Sequence, residues 1–176
     1  DLLAQGIEQY NNEEYDQALD TFNRADQANP DNPDILYWRG RTNRALGHND
    51  QAISDLEQAL ALDPNHDDAR DELYDLLMEL GQNNYEEENY DNALDNFERA
   101  SELEPDRCEP HLWMGRTNRA MGNTDQALEH LETAQDLQGD CSDQEIAEEI
   151  ELASQEQAQD LLAQGIEQYN NEEYDQ

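Results

Sequence analysis

The sequence predicts an all-α fold in which helical hairpins stack into a solenoid. Small and apolar residues recur at one spacing four times along the chain, and a glycine stands twelve residues before each leading alanine. Proline follows each set except the last, where a glycine takes its place. The sets are Ala18, Phe22, Ala25 and Pro30; Ala52, Leu56, Ala59 and Pro64; Ala93, Phe97, Ala100 and Pro105; and Ala127, Leu131, Ala134 and Gly139, preceded by Gly6, Gly40, Gly81 and Gly115.

Each set fits a pair of crossing helices. Small residues at a crossing let the two backbones approach closely, and the larger residue, such as Phe22, fills the space beside it. Proline ends the second helix because it has no N–H and its ring clashes with the preceding turn. One hairpin cannot bury its apolar face alone, so we expect neighbouring hairpins to share a continuous core.

The pattern resembles the tetratricopeptide repeat, a helix–turn–helix unit of about 34 residues. The resemblance extends over nearly the whole chain and implies a right-handed superhelix of hairpins. The implied hairpins cover about 1–32, 33–66, 67–106 and 107–141, and 142–176 is expected to form a long helix that begins a further unit.

Two longer periods lie above the hairpin. The string GRTNRA at 40–45 recurs at 115–120, so the hairpins form pairs with a 75-residue period. Residues 1–17 and 160–176 both read DLLAQGIEQYNNEEYDQ, which sets a second, 159-residue period. Because chance does not produce a 17-residue identity, the chain is either a section of a long array of near-identical units or a designed sequence. The two cysteines, the irregular spacers and the divergent hairpins favour the natural array.

Extra residues lengthen the helices that open the third hairpin and the following unit. The insertions are 7 and 16 residues and contain neither Pro nor Gly, which predicts helices about 10 Å and about 24 Å longer. On the second helix Ile146, Ile150 and Ala153 form one apolar stripe. This stripe is expected to pack either on the adjacent hairpin of the same chain or on a neighbouring chain, where Ile146 and Ile150 would mediate self-association.

The composition is strongly acidic. The chain has 45 Asp and Glu residues against nine arginines, no lysine, and a formal net charge of −36. Such a surface repels nucleic acid and anionic membranes, so we exclude both as partners. High salt would screen the self-repulsion. No apolar run approaches the length that spans a membrane, so membrane insertion is not expected.

No catalytic constellation is recognisable, and we expect neither enzymatic activity nor a cofactor. The chain lacks a phosphate-binding loop, a nucleophile elbow and a Cys-x-x-Cys motif, and its four histidines are not spaced as a metal pair. The acidic turns are weak candidates for loosely bound calcium, although no complete EF-hand loop is present. The candidate ligands are Asp31, Asp34, Asp63 and Asp67.

The two cysteines flank the fourth hairpin. Cys108 stands where it begins and Cys141 just past its end, so antiparallel helices bring them to the same end. A disulfide is possible if their Cα atoms lie within about 7 Å. It would indicate an oxidising setting, outside the cell or on its surface. The alternative is two free thiols in the cytoplasm of a salt-adapted organism.

The arginines indicate a second candidate site. Four of the nine recur at the 75-residue interval on first helices of hairpins, and in the proteins that this chain resembles those helices line a concave groove. These arginines are expected either to pair with acidic neighbours or to bind an acidic peptide. The groove candidates are Tyr37, Arg41, Arg44, Leu112, Arg116 and Arg119.

Three hypotheses about function follow. The first is structural: a long fibre or surface stalk formed by continuous stacking of tandem 159-residue units, with the chain as its own partner. The second is an adaptor that binds a partner peptide in its groove. A third, weaker hypothesis makes this region the scaffold of a longer chain that carries an enzyme domain elsewhere.

Overall fold

A computed structural model describes residues 1–137, 139 and 141–174, with side chains up to Asn171. Every regular element in these residues is an α-helix, which confirms the all-α prediction. None of the described helices is both long and apolar enough to cross a bilayer. The helices are α1 (Leu2–Asn11), α2 (Tyr15–Ala28), α3 (Pro33–Ala45), α4 (Asn49–Leu62), α5 (Asp67–Glu86), α6 (Tyr90–Leu103), α7 (Glu109–Ala120), α8 (Thr124–Leu137) and α9 (Asp143–Tyr174).

The chain forms two compact units, Asp1–Leu77 and Met78–Gln176, and the division falls inside α5. In the first unit α1 packs on α2, α2 on α3, and α3 on α4. In the second unit α6 packs on α7, α7 on α8, and α8 on α9. Each unit thus contains antiparallel hairpins in sequence order.

Close helix crossings form the core of the first unit. Ala18, Phe22 and Leu56 are fully buried. A Cβ placed on Gly6 would lie 2.5 Å from Cε1 of Phe22, and one placed on Gly40 would lie 2.9 Å from Cγ of Leu56. Because real Cβ atoms do not approach other atoms so closely, only glycine permits these crossings.

The second unit repeats this packing. Phe97 and Leu131 are fully buried, and a Cβ on Gly81 or Gly115 would overlap them in the same way. The 75-residue period of the sequence is therefore a period of the core, since Gly81 and Phe97 follow Gly6 and Phe22 at that interval.

The apolar stripe of α9 packs within its own chain. Ile146 is 2 % exposed and Ala153 is fully buried, in one cluster with Leu131 and the rest of the α7–α8 core, and Ile150 packs at the edge of that cluster. This corrects the alternative in which Ile146 and Ile150 dock on a neighbouring chain. The α7–α8 core removes Ile146 almost fully and Ile150 partly from water.

The turn inside each hairpin contains a residue with left-handed backbone. The residues are Glu13 (φ 63°), Gly47 (76°), Glu88 (61°) and Gly122 (78°). Glycine adopts this conformation without a steric penalty, whereas glutamate is penalised through its Cβ. The first and third hairpins therefore retain backbone strain that the second and fourth do not.

Candidate interaction surface

Arg41 lies among three aromatic rings in the first unit. Its guanidinium carbon is 5.0 Å from the ring centre of Tyr10, 5.6 Å from that of Tyr37 and 4.9 Å from that of Trp38. Such distances are those of cation–π contacts. Burial raises the pKa of Tyr10 above its usual 10.0, although Arg41 opposes the shift. The cluster joins α1 to α3.

Glu72 of α5 neutralises this cluster. Nε of Arg41 lies 3.0 Å from one of its carboxylate oxygens, and Nη1 of Arg44 donates to the other at 2.7 Å. The Glu72 side chain is only 16 % exposed. A half-buried carboxylate thus has both of its oxygens engaged by the two arginines of α3.

The second unit holds its two arginines in the same way, with α9 in place of α5. Arg116 donates to Glu149 at 2.8 Å through Nε and to Glu145 at 2.6 Å through Nη2. Arg119 lies 3.1 Å from Glu149 and donates to Glu156 at 3.1 Å. All four predicted groove arginines are therefore paired with glutamates of the helix that opens the next hairpin, α5 or α9.

Two of the expected groove residues belong to the core instead. Tyr37 is 9 % exposed, with its ring 5.0 Å from that of His66, and Leu112 is 3 % exposed in the cluster around Leu131. The sequence placed them beside the arginines on the first helices of their hairpins. Tyr37 still lies beside Arg41, but neither Tyr37 nor Leu112 has enough exposed surface to line a peptide groove.

Cys108 and Cys141 form a disulfide whose Cα atoms are 6.0 Å apart. The backbone N–H of Cys141 also donates to Sγ of Cys108 at 2.9 Å. Cys108 is fully buried in the α7–α8 core. The bond thus ties the start of α7 to the segment that leads into α9.

A pair of histidines between α7 and α8 is not predicted by the sequence pattern. His111 of α7 and His130 of α8 lie with ring centres 5.8 Å apart, both half-buried. Burial lowers the pKa of both imidazoles below 6.5; His130 lowers that of His111 further, whereas Glu129 and Glu98 oppose the shift at His130. Their separation along the chain matches no motif, so no sequence signal could have found the pair.

The acidic turns have protein partners. Asp34 lies 3.3 Å from His66, Asp67 accepts a hydrogen bond from Arg70 at 2.8 Å, and Asp63 accepts from the Asn65 N–H at 3.0 Å. Asp31, the remaining calcium candidate, stands in the turn before α3 with φ 61°. Across the residues that the structure describes, no group of three or more His, Cys, Asp or Glu side chains could hold a metal ion.

One helix face of α9 presents large apolar side chains to water. We call it the exposed stripe; its members are Leu161 (61 % exposed), Leu162 (66 %), Ile166 (54 %) and Tyr169 (61 %). Their identical counterparts in α1 are half-buried. Gly165, in the middle of the stripe, faces open space, whereas its counterpart Gly6 is buried.

Residues 3–67 match the family model of the tetratricopeptide repeat. This part of the chain thus belongs to the tetratricopeptide-repeat family. Residues 81–164 match the family model described as regulator of microtubule dynamics protein 1-3. Comparison with curated proteins finds no match to this chain.

Solved structures share the tetratricopeptide-repeat fold. A crystal structure of MamA protein is 21 % identical with a TM-score of 0.57, covering 89 % of this chain and 81 % of its own. A TPR repeats protein from Bacteroides fragilis is 15 % identical with a TM-score of 0.67, covering 85 % and 79 %. MamA from Desulfovibrio magneticus RS-1 is 17 % identical with a TM-score of 0.53, covering 90 % of both chains. Tetratricopeptide-repeat proteins are generally non-enzymatic scaffolds for protein–protein interaction.

Proposed function

We propose that this chain is part of a structural scaffold, a fibre or surface stalk in which tandem 159-residue units stack hairpin on hairpin. The main support for the proposal is that the same amino-acid sequence is half-buried in α1 and exposed in α9. Leu2, Leu3 and Ile7 are half-buried beside α2, whereas their counterparts in the exposed stripe face water. Fully burying such a side chain contributes about 1.5–3 kcal/mol, so a following unit would gain stability by covering the stripe.

The continuity of α9 supports the same conclusion. Its first half packs on α7 and α8 through Ile146 and Ala153, and the helix then runs without a break into the copy of α1. A unit that begins on this second half would be joined to its predecessor through one helix rather than through a flexible linker. Such a join would give every pair of successive units the same relative position and orientation.

The disulfide indicates the cellular compartment in which the scaffold functions. A bond between Cys108 and Cys141 forms and persists in oxidising surroundings, which favours a location outside the cell or on its surface. Alkylation of the native protein followed by mass spectrometry tests this assignment. Two reactive thiols in material taken from its natural source would place the protein in a reducing compartment.

The tetratricopeptide-repeat fold suits protein–protein interaction, but the groove arginines do not support this groove as the site of an acidic peptide. Arg41 and Arg44 share Glu72, and Arg116 and Arg119 share Glu149. An acidic peptide would have to displace carboxylates that are held at high local concentration in the same chain. We therefore assign these arginines to the packing of α3 with α5 and of α7 with α9.

A chain with a second 159-residue unit appended tests the proposal. Hydrogen exchange at residues 160–171 should slow strongly relative to the parent chain, because α2 of the added unit would cover the exposed stripe. Electron microscopy of longer tandem chains should show rods that lengthen by a constant step per unit. If the amide hydrogens of residues 160–171 exchange as fast as in the single chain and the units tumble independently, the scaffold is refuted.

A further inference from the structure

We propose that the exposed stripe of α9 docks on the face of α2 and α3 that α1 covers, in a second copy of this chain. The inference rests on the proposed function, because it identifies the surface that one unit presents to the next. It also goes further, because it predicts association between separate chains whenever that face is vacant. The partner is thus the helix pair α2 and α3 of a chain whose own α1 has left this face.

The register of the docking follows from a glycine. In α1, Gly6 lies so close to the Phe22 ring that any side chain would overlap it. Gly165 occupies the same place in the repeated sequence, yet no described atom outside its own stretch of helix lies within 4 Å of the Cβ that it lacks. The exposed stripe therefore has space beside Gly165 into which a phenylalanine ring could pack, but no ring occupies that space.

The aromatic cluster supplies a second point of contact. Tyr10 lies with its ring centre 5.3 Å from that of Tyr15 and 5.4 Å from that of Trp38, and its ring also lies under Arg41. Tyr169 repeats Tyr10 and is 61 % exposed. With Gly165 placed on Phe22 of another copy, Tyr169 would enter the same cluster.

Charge favours this segment as the meeting point of two copies. The chain carries a formal net charge of −36, so most of its surface repels a second copy. Between Gln157 and Asn171 only Asp160 and Glu167 are charged. Repulsion between copies is therefore weak where the apolar side chains are exposed.

In the unmodified chain, α1 already occupies the face. Exchanging it for the identical segment of another copy leaves the number of buried contacts unchanged, as in domain swapping. The tethered α1 is also present at a higher effective concentration than any free copy. The unmodified chain should therefore be a monomer, and docking should emerge once α1 is expelled.

A pair of matched substitutions separates the two roles of the repeated segment. Gly6→Val forces a branched side chain into the Phe22 ring and expels α1, but leaves the exposed stripe intact. Gly165→Val makes the same change where the structure has open space. In sedimentation velocity, Gly6→Val should form oligomers that grow with concentration, whereas Gly165→Val and the unmodified chain should remain monomers. The double variant should also be a monomer.

Two results would overturn the docking: a Gly6→Val chain that stays monomeric, or a double variant that oligomerises as strongly as Gly6→Val. The second would show that association comes from exposed apolar surface and not from the glycine register. If Gly6→Val does not fold, a synthetic peptide of residues 157–171 offered to the Gly6→Ala chain provides the test. The peptide should bind, its Gly165→Val version should not, and equal binding or none would contradict the proposal.

The two proposals can fail separately. Rods from tandem chains combined with a monomeric Gly6→Val chain would leave the scaffold standing and reject docking between separate chains. Oligomers of Gly6→Val combined with independently tumbling tandem units would keep the docking and reject the scaffold.

Discussion

Nε of Arg116 on α7 donates a 2.8 Å hydrogen bond to Glu149 on α9. The other carboxylate oxygen of Glu149 lies 3.1 Å from Arg119, one turn further along α7. The Glu149 side chain is 13 % exposed. One half-buried carboxylate thus joins both arginines of α7 to the long helix.

Glu149→Gln should destabilise the second unit by about 1–3 kcal/mol, because two half-buried arginines would lose their shared anion. Urea unfolding followed by circular dichroism measures the change. Glu148→Gln is the matched control, since Glu148 is exposed on the same helix, and should stay within about 0.5 kcal/mol of the parent. Equal effects of the two substitutions would mean that the arginine pairing contributes little.

Glycine at the strained turns should stabilise the chain. Left-handed backbone costs a residue with a Cβ about 1–2 kcal/mol, and part of that gain is offset by the greater freedom of glycine in the unfolded state. Glu13→Gly and Glu88→Gly should therefore each raise the unfolding free energy by about 0.5–1 kcal/mol. Glu14→Gly, at φ −84°, should not stabilise. A loss of stability at both positions would show that the turn strain is not significant.

The histidine pair should make stability depend on pH. The pKa values of His111 and His130 lie below 6.5 in the folded chain, because burial disfavours the charged imidazole. Below about pH 6.5 the unfolded chain therefore binds more protons than the folded chain, so the free energy of unfolding decreases as the pH falls. Above that pH both imidazoles are neutral in both states, and they do not change the free energy of unfolding. Carboxylates titrate mainly at lower pH.

Urea midpoints at pH 7.5 and 5.5 test this dependence. Replacing both His111 and His130 by Gln should remove their share of the decrease, so that the double variant loses less stability on acidification than the parent. His48→Gln changes an exposed histidine of the first unit and should behave as the parent does. A double variant with the parent's pH response would exclude the pair as the source.

The histidine pair also shows where the two units diverge. In the first unit Asp55, 7 % exposed, accepts hydrogen bonds from Arg39 at 3.0 and 2.5 Å and from Asn43 at 2.9 Å. In the second unit, His130 and Met114 take the equivalent places of Asp55 and Arg39 in the repeated sequence. A buried ion pair in one unit is thus replaced in the other by an imidazole and an apolar side chain, and the backbone packing remains the same.

The sequence by itself determined the helices, their order and the glycine crossings, because these depend on local spacing and on the clash that any Cβ would cause beside Phe22 or Leu56. It also showed that residues 160–176 repeat 1–17. Only the tertiary structure decided which of these residues are buried. Tyr37 and Leu112 are core residues, and Ile146 and Ile150 pack on the α7–α8 core. The copy of the α1 segment in α9 is exposed, whereas α1 itself is half-buried. The physical reason is that burial depends on which helix lies opposite, and a residue's spacing along its own helix does not contain that information.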